Sequence, residues 1–251
     1  MDILIPKLTT GRRRFLSQFA AGTSLMALAG MTGFPSSVAS AKTVRVTKRN
    51  AGNAQVALAN GSGRRENLAS VLEPFRDVIE AGIQGKQIVI KLNCVGQNGL
   101  ELMVTHPDAV RAVLDFLTPM TDQTIIVAES AVQNAGVPTW DEIYGYRDLE
   151  QEYNAVVVEL NEQPAVDHYI FDNRLNPVKI RVTSTLLDRN NYIISLTRLK
   201  THNAVVATLT LKNVVMGSPL KIPGQRINEK SKMHAGNITP KFINYNLFEM
   251  A

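Results

Sequence analysis

Apolar and polar positions along this chain alternate between a strand-like and a helix-like period, and the changes of period mark its elements. Residues 86–93, 124–130 and 155–161 are short apolar runs and predict strands; the first is continuously apolar in its middle, as in a sheet covered on both faces. A fourth run, 191–196, predicts a strand that feeds Lys200-Thr201-His202. Between the runs the period lengthens. Residues 64–80 carry Leu68, Val71, Leu72, Phe75, Val78 and Ile79 at helical spacing, with Ser62 as N-cap and Pro74 dividing or kinking the helix. Residues 105–117 predict a second helix, with Thr105 or His106 at the cap, Pro107 at the first helical position and Asp108 in the first turn. Residues 136–149 predict a loop and a short helix capped by Thr139, with Trp140, Ile143 and Tyr144 inward, and 185–190 a further short helix. Shorter strands are predicted at 44–46 and 55–59. Residues 168–171 and 177–182 alternate as a half-exposed antiparallel pair turning at Asp172-Asn173. Strands separated by helical stretches imply an α/β fold: a mainly parallel sheet with crossover helices, three-layer and Rossmann-like, plus a small antiparallel hairpin.

In open sheets of this class the ligand crevice lies beyond the carboxyl ends of the strands. That position singles out Lys91 and Asn93 after the first run and Glu129 after the second. Lys200 and His202, two apart on an extended strand, point to one face, and Lys212 and Asn213 follow after room for a turn and a return segment. If these converge, three ammonium groups, two carboxamides and an imidazole face Glu129. Such a pocket suits a phosphate, a carboxylate or an anionic cofactor, each desolvated charge-assisted hydrogen bond contributing ~1.5–3 kcal/mol. Lys200 and His202 are then the catalytic candidates, His202 as acid/base. A divalent metal held by His106, His202 and His234 with Glu129 is the second reading. Its spacings match no compact metal motif, and three lysines would repel a bare cation. Plainer readings stand beside these: Lys91 snorkelling at a strand end, His106 as a neutral helix cap, the Gly61/Gly63 turn as no more than a turn. Residues 218–234, polar, basic and broken by prolines, form either a lid that carries His234 or a surface loop.

Composition changes this picture at the N-terminus. The 251 residues are 45% hydrophobic, which is the balance of a soluble globular protein, and the formal charge is +5. Lys7, Arg12, Arg13 and Arg14 against Asp2 put +3 of that excess in residues 1–41, so the charge does not argue for nucleic acid. Arg12-Arg13-Arg14-Phe15-Leu16, a weakly apolar stretch and Ala39-Ser40-Ala41 read as an export signal of twin-arginine type, with Gly11 where Ser or Thr is usual. The expected organisation is a signal over 1–41, cleaved after Ala41, and one α/β domain over 42–251. The expected location is the periplasm, reached through the twin-arginine translocase. The apolar run falls short of the ~20 residues of a membrane span, so no stable span is expected after cleavage. Cys94 is the single cysteine, which excludes an internal disulfide and an iron–sulfur cluster on four of the chain's own thiolates.

Lys91-Leu-Asn93, Thr105-His-Pro107, Glu129-Ser130, Gly145-Tyr146, Glu159-Leu-Asn161, Leu199-Lys-Thr-His202, Leu211-Lys-Asn213 with Gly217, and His234, in that order, resemble the family called domain of unknown function 362. The resemblance spans about Gln55 to His234. Some members carry ferredoxin-type cluster modules, for which this chain has no cysteines. Cys94 departs from the family's other small residues, and relatives resemble one another in a further Asp- and Gly-rich C-terminal segment, so the resemblance implies either a short gene product or a fragment ending at Ala251. The sequence therefore leads to an exported α/β protein with a cationic cleft for an anionic ligand, an enzyme or else a non-catalytic periplasmic metal- or solute-binding or assembly protein.

Overall fold

Four apolar runs become one sheet. In the computed structural model the described residues are 45–48, 55–96, 101–133, 139–202, 206–221, 228–235 and 240–251, all within Lys42–Ala251. The export-signal reading of 1–41 lies outside them. A first antiparallel pair, β1 (Arg45–Lys48) and β2 (Gln55–Leu58), precedes the sheet. The sheet strands are β3 (Gln87–Lys91), β5 (Ile125–Glu129), β7 (Ala155–Glu159) and β10 (Asn191–Ser195), in spatial order β10-β3-β5-β7 and all parallel. A two-residue parallel pair, β4 (Val95–Gly96) with β6 (Val132–Gln133), continues beyond β3 and β5. The fold is α/β, as the alternation of periods requires.

One face of the sheet is covered by the predicted helices. Arg64–Leu72 (α1) and Arg76–Ile83 (α2) are divided by a 3-10 turn at Glu73–Phe75, where Pro74 offers no N–H and its ring crowds the preceding turn. The break resets the helical register. Val78, expected inward, is 68% exposed, while Ile83 is buried. Gly63, not Ser62, occupies the N-cap of α1, with no side-chain cap. Pro107–Leu117 (α3) is the most amphipathic crossover, burying Val110, Val113, Leu114 and Leu117 against Ile88, Ile90, Ile125 and Val127. Trp140–Ile143 (α4), with the expected Thr139 cap closed by Glu142, and Leu149–Glu152 (α5) complete this side and bury Trp140 and Tyr146. The opposite face, with Val89 and Ala128, is closed by Leu160 and Leu186 from short 3-10 turns. The second of these, Ser184–Leu186, stands where a helix over 185–190 was expected.

The hairpin is longer than predicted: β8 (Ala165–Phe171) pairs with β9 (Pro177–Thr183). Its connection runs through Asp172-Asn173, as expected, and spans residues 172–176. Asp172 Oδ1 accepts the backbone N–H groups of Arg174 at 2.8 Å and Asn176 at 2.9 Å, winding a longer loop in which Leu175 takes φ 65°. After the sheet, β11 (Lys200–His202) and β12 (Val206–Thr208) form a small antiparallel pair, followed by helices α6 (Thr210–Gly217), α7 (Glu229–Lys232) and α8 (Pro240–Glu249). These last helices share a second core with the hairpin, in which Ile170, Ile180 and Val182 meet Val215, Met233, Ile243 and Leu247. Asn246 joins them by polar bonds, accepting from Phe171 N and donating to Phe171 O, both at 2.9 Å. Of the proposed lid, 222–227 lies outside the described residues; Lys221 and Asn228 on either side of it form an antiparallel bridge.

Candidate functional site

The parallel register lines up the carboxyl ends of the strands. Ser195 faces Lys91, Lys91 faces Ala128, and Glu129 faces Glu159 across neighbouring strands. Lys91 is 1% exposed, so its ammonium needs partners inside the protein. Its Nζ ion-pairs with Glu129 Oε1 and donates to Leu92 O at 2.6 Å. Glu129 also accepts from Ser130 N at 2.8 Å and from Cys94 N at 2.6 Å. Extra donors of this kind are what makes a buried ion pair tolerable. Helix α6 is fastened to the same rim by Asn213. Its Nδ2 donates to Ser195 Oγ at 3.0 Å and Lys91 O at 3.3 Å, and its Oδ1 accepts from Asn93 Nδ2 at 3.0 Å. At the end of α6 a Cβ on Gly217 would lie 2.9 Å from Lys91 Nζ and closer still to Cε, so glycine is what permits this approach.

Above the rim lies a cavity of about 670 Å³, walled by the strand ends, the β11–β12 pair, α6, α7 and the start of the segment after α7. Four lysines line it: Lys91, Lys200, Lys212 and Lys230. Among the described residues Glu129 is the one carboxylate in the lining, and it is already consumed by Lys91. Lys200 donates to Met103 O at 2.5 Å, and Lys230 to Ser130 Oγ at 2.9 Å and Met216 O at 2.8 Å. Burial disfavours the charged form of all three remaining amines. It lowers Lys200; together with the charges of Lys200 and Lys91 it brings Lys212 down to about 8; it brings Lys230 to about 7 against the pull of Glu129. Glu159, at the end of β7, is pushed the other way to about 7 by burial, although Trp140 Nε1 and Asn161 N both donate to it. Among the described residues, two polar atoms of the lining have no protein partner: Thr208 Oγ1, on a residue 1% exposed, and His234 Nδ1. Buried groups of this kind are ordinarily satisfied. Burial and the Lys212 charge lower the proton affinity of His234.

Lys91, Asn93, Glu129, Lys200, Lys212, Asn213 and His234 are thus brought to one cavity. His202 sits on β11, and its side chain lies outside the described set. Of the residues of the expected metal grouping, His234 and Glu129 line the cavity and His106 does not. His106 caps α3, its Nδ1 accepting from Asp108 N at 3.1 Å, and is absent from the lining. Among the described residues no three His, Cys, Asp or Glu side chains are grouped as metal ligands. Lys230 and Thr208 were missed from the sequence. A lysine in a polar, basic stretch reads as exposed, and an isolated threonine carries no signal.

A family model described as Domain of unknown function (DUF362) matches residues 88–250, a range that contains every residue of the cavity lining. The chain belongs to that family. No curated protein and no solved structure matches the chain. Within this DUF362 domain the matched region begins in β3, where the rim is built, and runs to the end of α8, where the cavity wall is closed by Ile243.

Proposed function

We propose that this DUF362 protein is exported and that its rim cavity binds a small anionic ligand or cofactor. The observation that carries the reading is charge imbalance. Lys200, Lys212 and Lys230 share one cavity whose sole described carboxylate is spent on Lys91. A bound phosphate or carboxylate would offset those charges and give Thr208 Oγ1 a partner, since a hydroxyl can donate to an anion. A metal is less well supported, because Glu129 already accepts three donors and His106 is elsewhere. Lys200 and His202 remain the catalytic candidates, His202 as acid/base, if the cavity runs a reaction; without turnover it is a holding site, and the ligand chemistry is the same.

Titration of the mature chain with inorganic phosphate and with citrate, by calorimetry and native mass spectrometry, tests this directly. One stoichiometric anion is expected, and the Lys200→Ala/Lys212→Ala chain should lose it while keeping its thermal transition. Undiminished binding by that chain would overturn the reading. Export rests on Arg12-Arg13 and the Ala39-Ser40-Ala41 ending. Arg12→Lys/Arg13→Lys should leave the precursor in the cytoplasmic fraction.

A further inference from the structure

The four amines of the cavity are not equivalent. Lys91, Lys200 and Lys230 are each tied to an oxygen: Glu129 and Leu92 O, Met103 O, and Ser130 Oγ with Met216 O. Lys212 lines the same cavity with no hydrogen-bond or ion-pair partner among the described residues. An amine already engaged with protein oxygens is fixed in place by them, whereas attack on carbon needs an amine free to turn its lone pair to the substrate. Lys212 is also the amine whose neighbours are cations, Lys200 and Lys91, and with burial they bring it to about 8, leaving about a tenth as free amine at pH 7. His234 Nδ1, buried and unpartnered, belongs to the same wall and feels the Lys212 charge.

We infer that Lys212 is a nucleophile that forms a Schiff base with a small anionic carbonyl compound of the 2-oxo acid class. The inference rests on the anion reading above, because the carboxylate of such a compound is what Lys200 and Lys230 would hold. The Lys212 Nζ lone pair attacks the carbonyl carbon, and the carbonyl π pair moves to oxygen, which takes up a proton from solvent. The nitrogen releases a proton to His234 Nδ1, giving a neutral carbinolamine. His234 returns that proton to the hydroxyl, which leaves as water while the nitrogen lone pair closes the C=N bond. Amine, carbonyl and one solvent proton become iminium and water, and no oxidant or reductant is consumed. The iminium carries the positive charge that the bound carboxylate offsets. The remaining two lysines keep that carboxylate from drifting toward bulk water.

The full mature chain is incubated with pyruvate and sodium borohydride, then weighed intact and mapped by peptide mass. Lactate, which has the carboxylate but no carbonyl, is the binding control in calorimetry. The expected result is one reduced pyruvyl adduct on the peptide containing Lys212, none with lactate, and loss of the adduct in Lys212→Arg, which keeps a cation but cannot condense. Lys200→Ala should weaken lactate binding about tenfold, the loss of one charge-assisted contact. Lactate binding with no borohydride-stable adduct, or with adducts spread over exposed lysines and unchanged in Lys212→Arg, overturns the nucleophile and leaves the anion site standing. Neither lactate binding nor trapping overturns both. The peptide map of the trapped chain with its native sequence decides the assignment even if Lys212→Arg fails to fold.

Discussion

Single residues set the conditions under which four amines coexist in one cavity. Glu129 does most to make Lys91 tolerable, accepting its ammonium where water cannot reach. Glu129→Gln leaves that ammonium without a counter-charge, and unfolding in urea should show a loss of about 3–5 kcal/mol. Lys91→Met/Glu129→Leu should recover most of the loss, since an apolar pair needs no charge balance. Gly217→Ala pits two effects against each other. Helix propensity favours alanine by at most about 1 kcal/mol, and less at a helix end. The new Cβ would sit against the pinned Lys91 amine, and crowding of that kind costs about 1–3 kcal/mol, so net destabilisation is expected in the same assay. The need for a counter-charge at Lys91 was legible as an expected opposition of Glu129; the need for glycine at Gly217 was not, because it arises from a neighbour 126 positions away in the chain.

At the scale of elements, periodicity was a good guide wherever one face of a segment is buried. Helix α3 shows its start signals in the letters, and His106 is one of the two caps they foretold. Burial and the Arg64 charge lower the proton affinity of His106. A folded-state affinity below the unfolded one means the cap's contribution is present above the unfolded value and is lost as pH falls through it, because a protonated imidazole cannot accept from Asp108 N. His106→Ala should cost about 1 kcal/mol at pH 8 and progressively less below pH 6, with anion binding unchanged. Equal cost at both pH values would show that the imidazole does not act as an acceptor. The less legible elements are those without a repeating face. The hairpin loop is wound by Asp172, and the 3-10 turn at Ser184–Leu186 is too short to carry a period.

For the whole molecule the buried lysines and Glu159 make stability depend on pH with opposite signs. Glu159 has its folded value raised to about 7, so its ionisation is harder in the folded state and stability falls as pH rises from the ordinary carboxylate range to 7. Lys230 and Lys212 have folded values lowered to about 7 and 8, so the unfolded chain binds more protons above them. Stability then rises with pH from 7 toward the ordinary lysine value, by up to about 1.4 kcal/mol per pH unit for each group. Unfolding free energies of the ligand-free chain should therefore pass through a minimum near neutrality. Glu159→Gln should flatten the acid limb and Lys230→Met the alkaline one. Anion affinity should follow the protonated amines, strongest below pH 7 and weakening through pH 8. The α/β class, the parallel strands and the candidate lysines were determined by the sequence alone, because hydrophobic period and strand-end position are local properties of a chain. Which amines share a cavity, which are already paired, and that Lys230 and Thr208 join them were decided only by tertiary structure. Desolvation and proximity between segments remote in sequence depend on packing, and no local pattern encodes them.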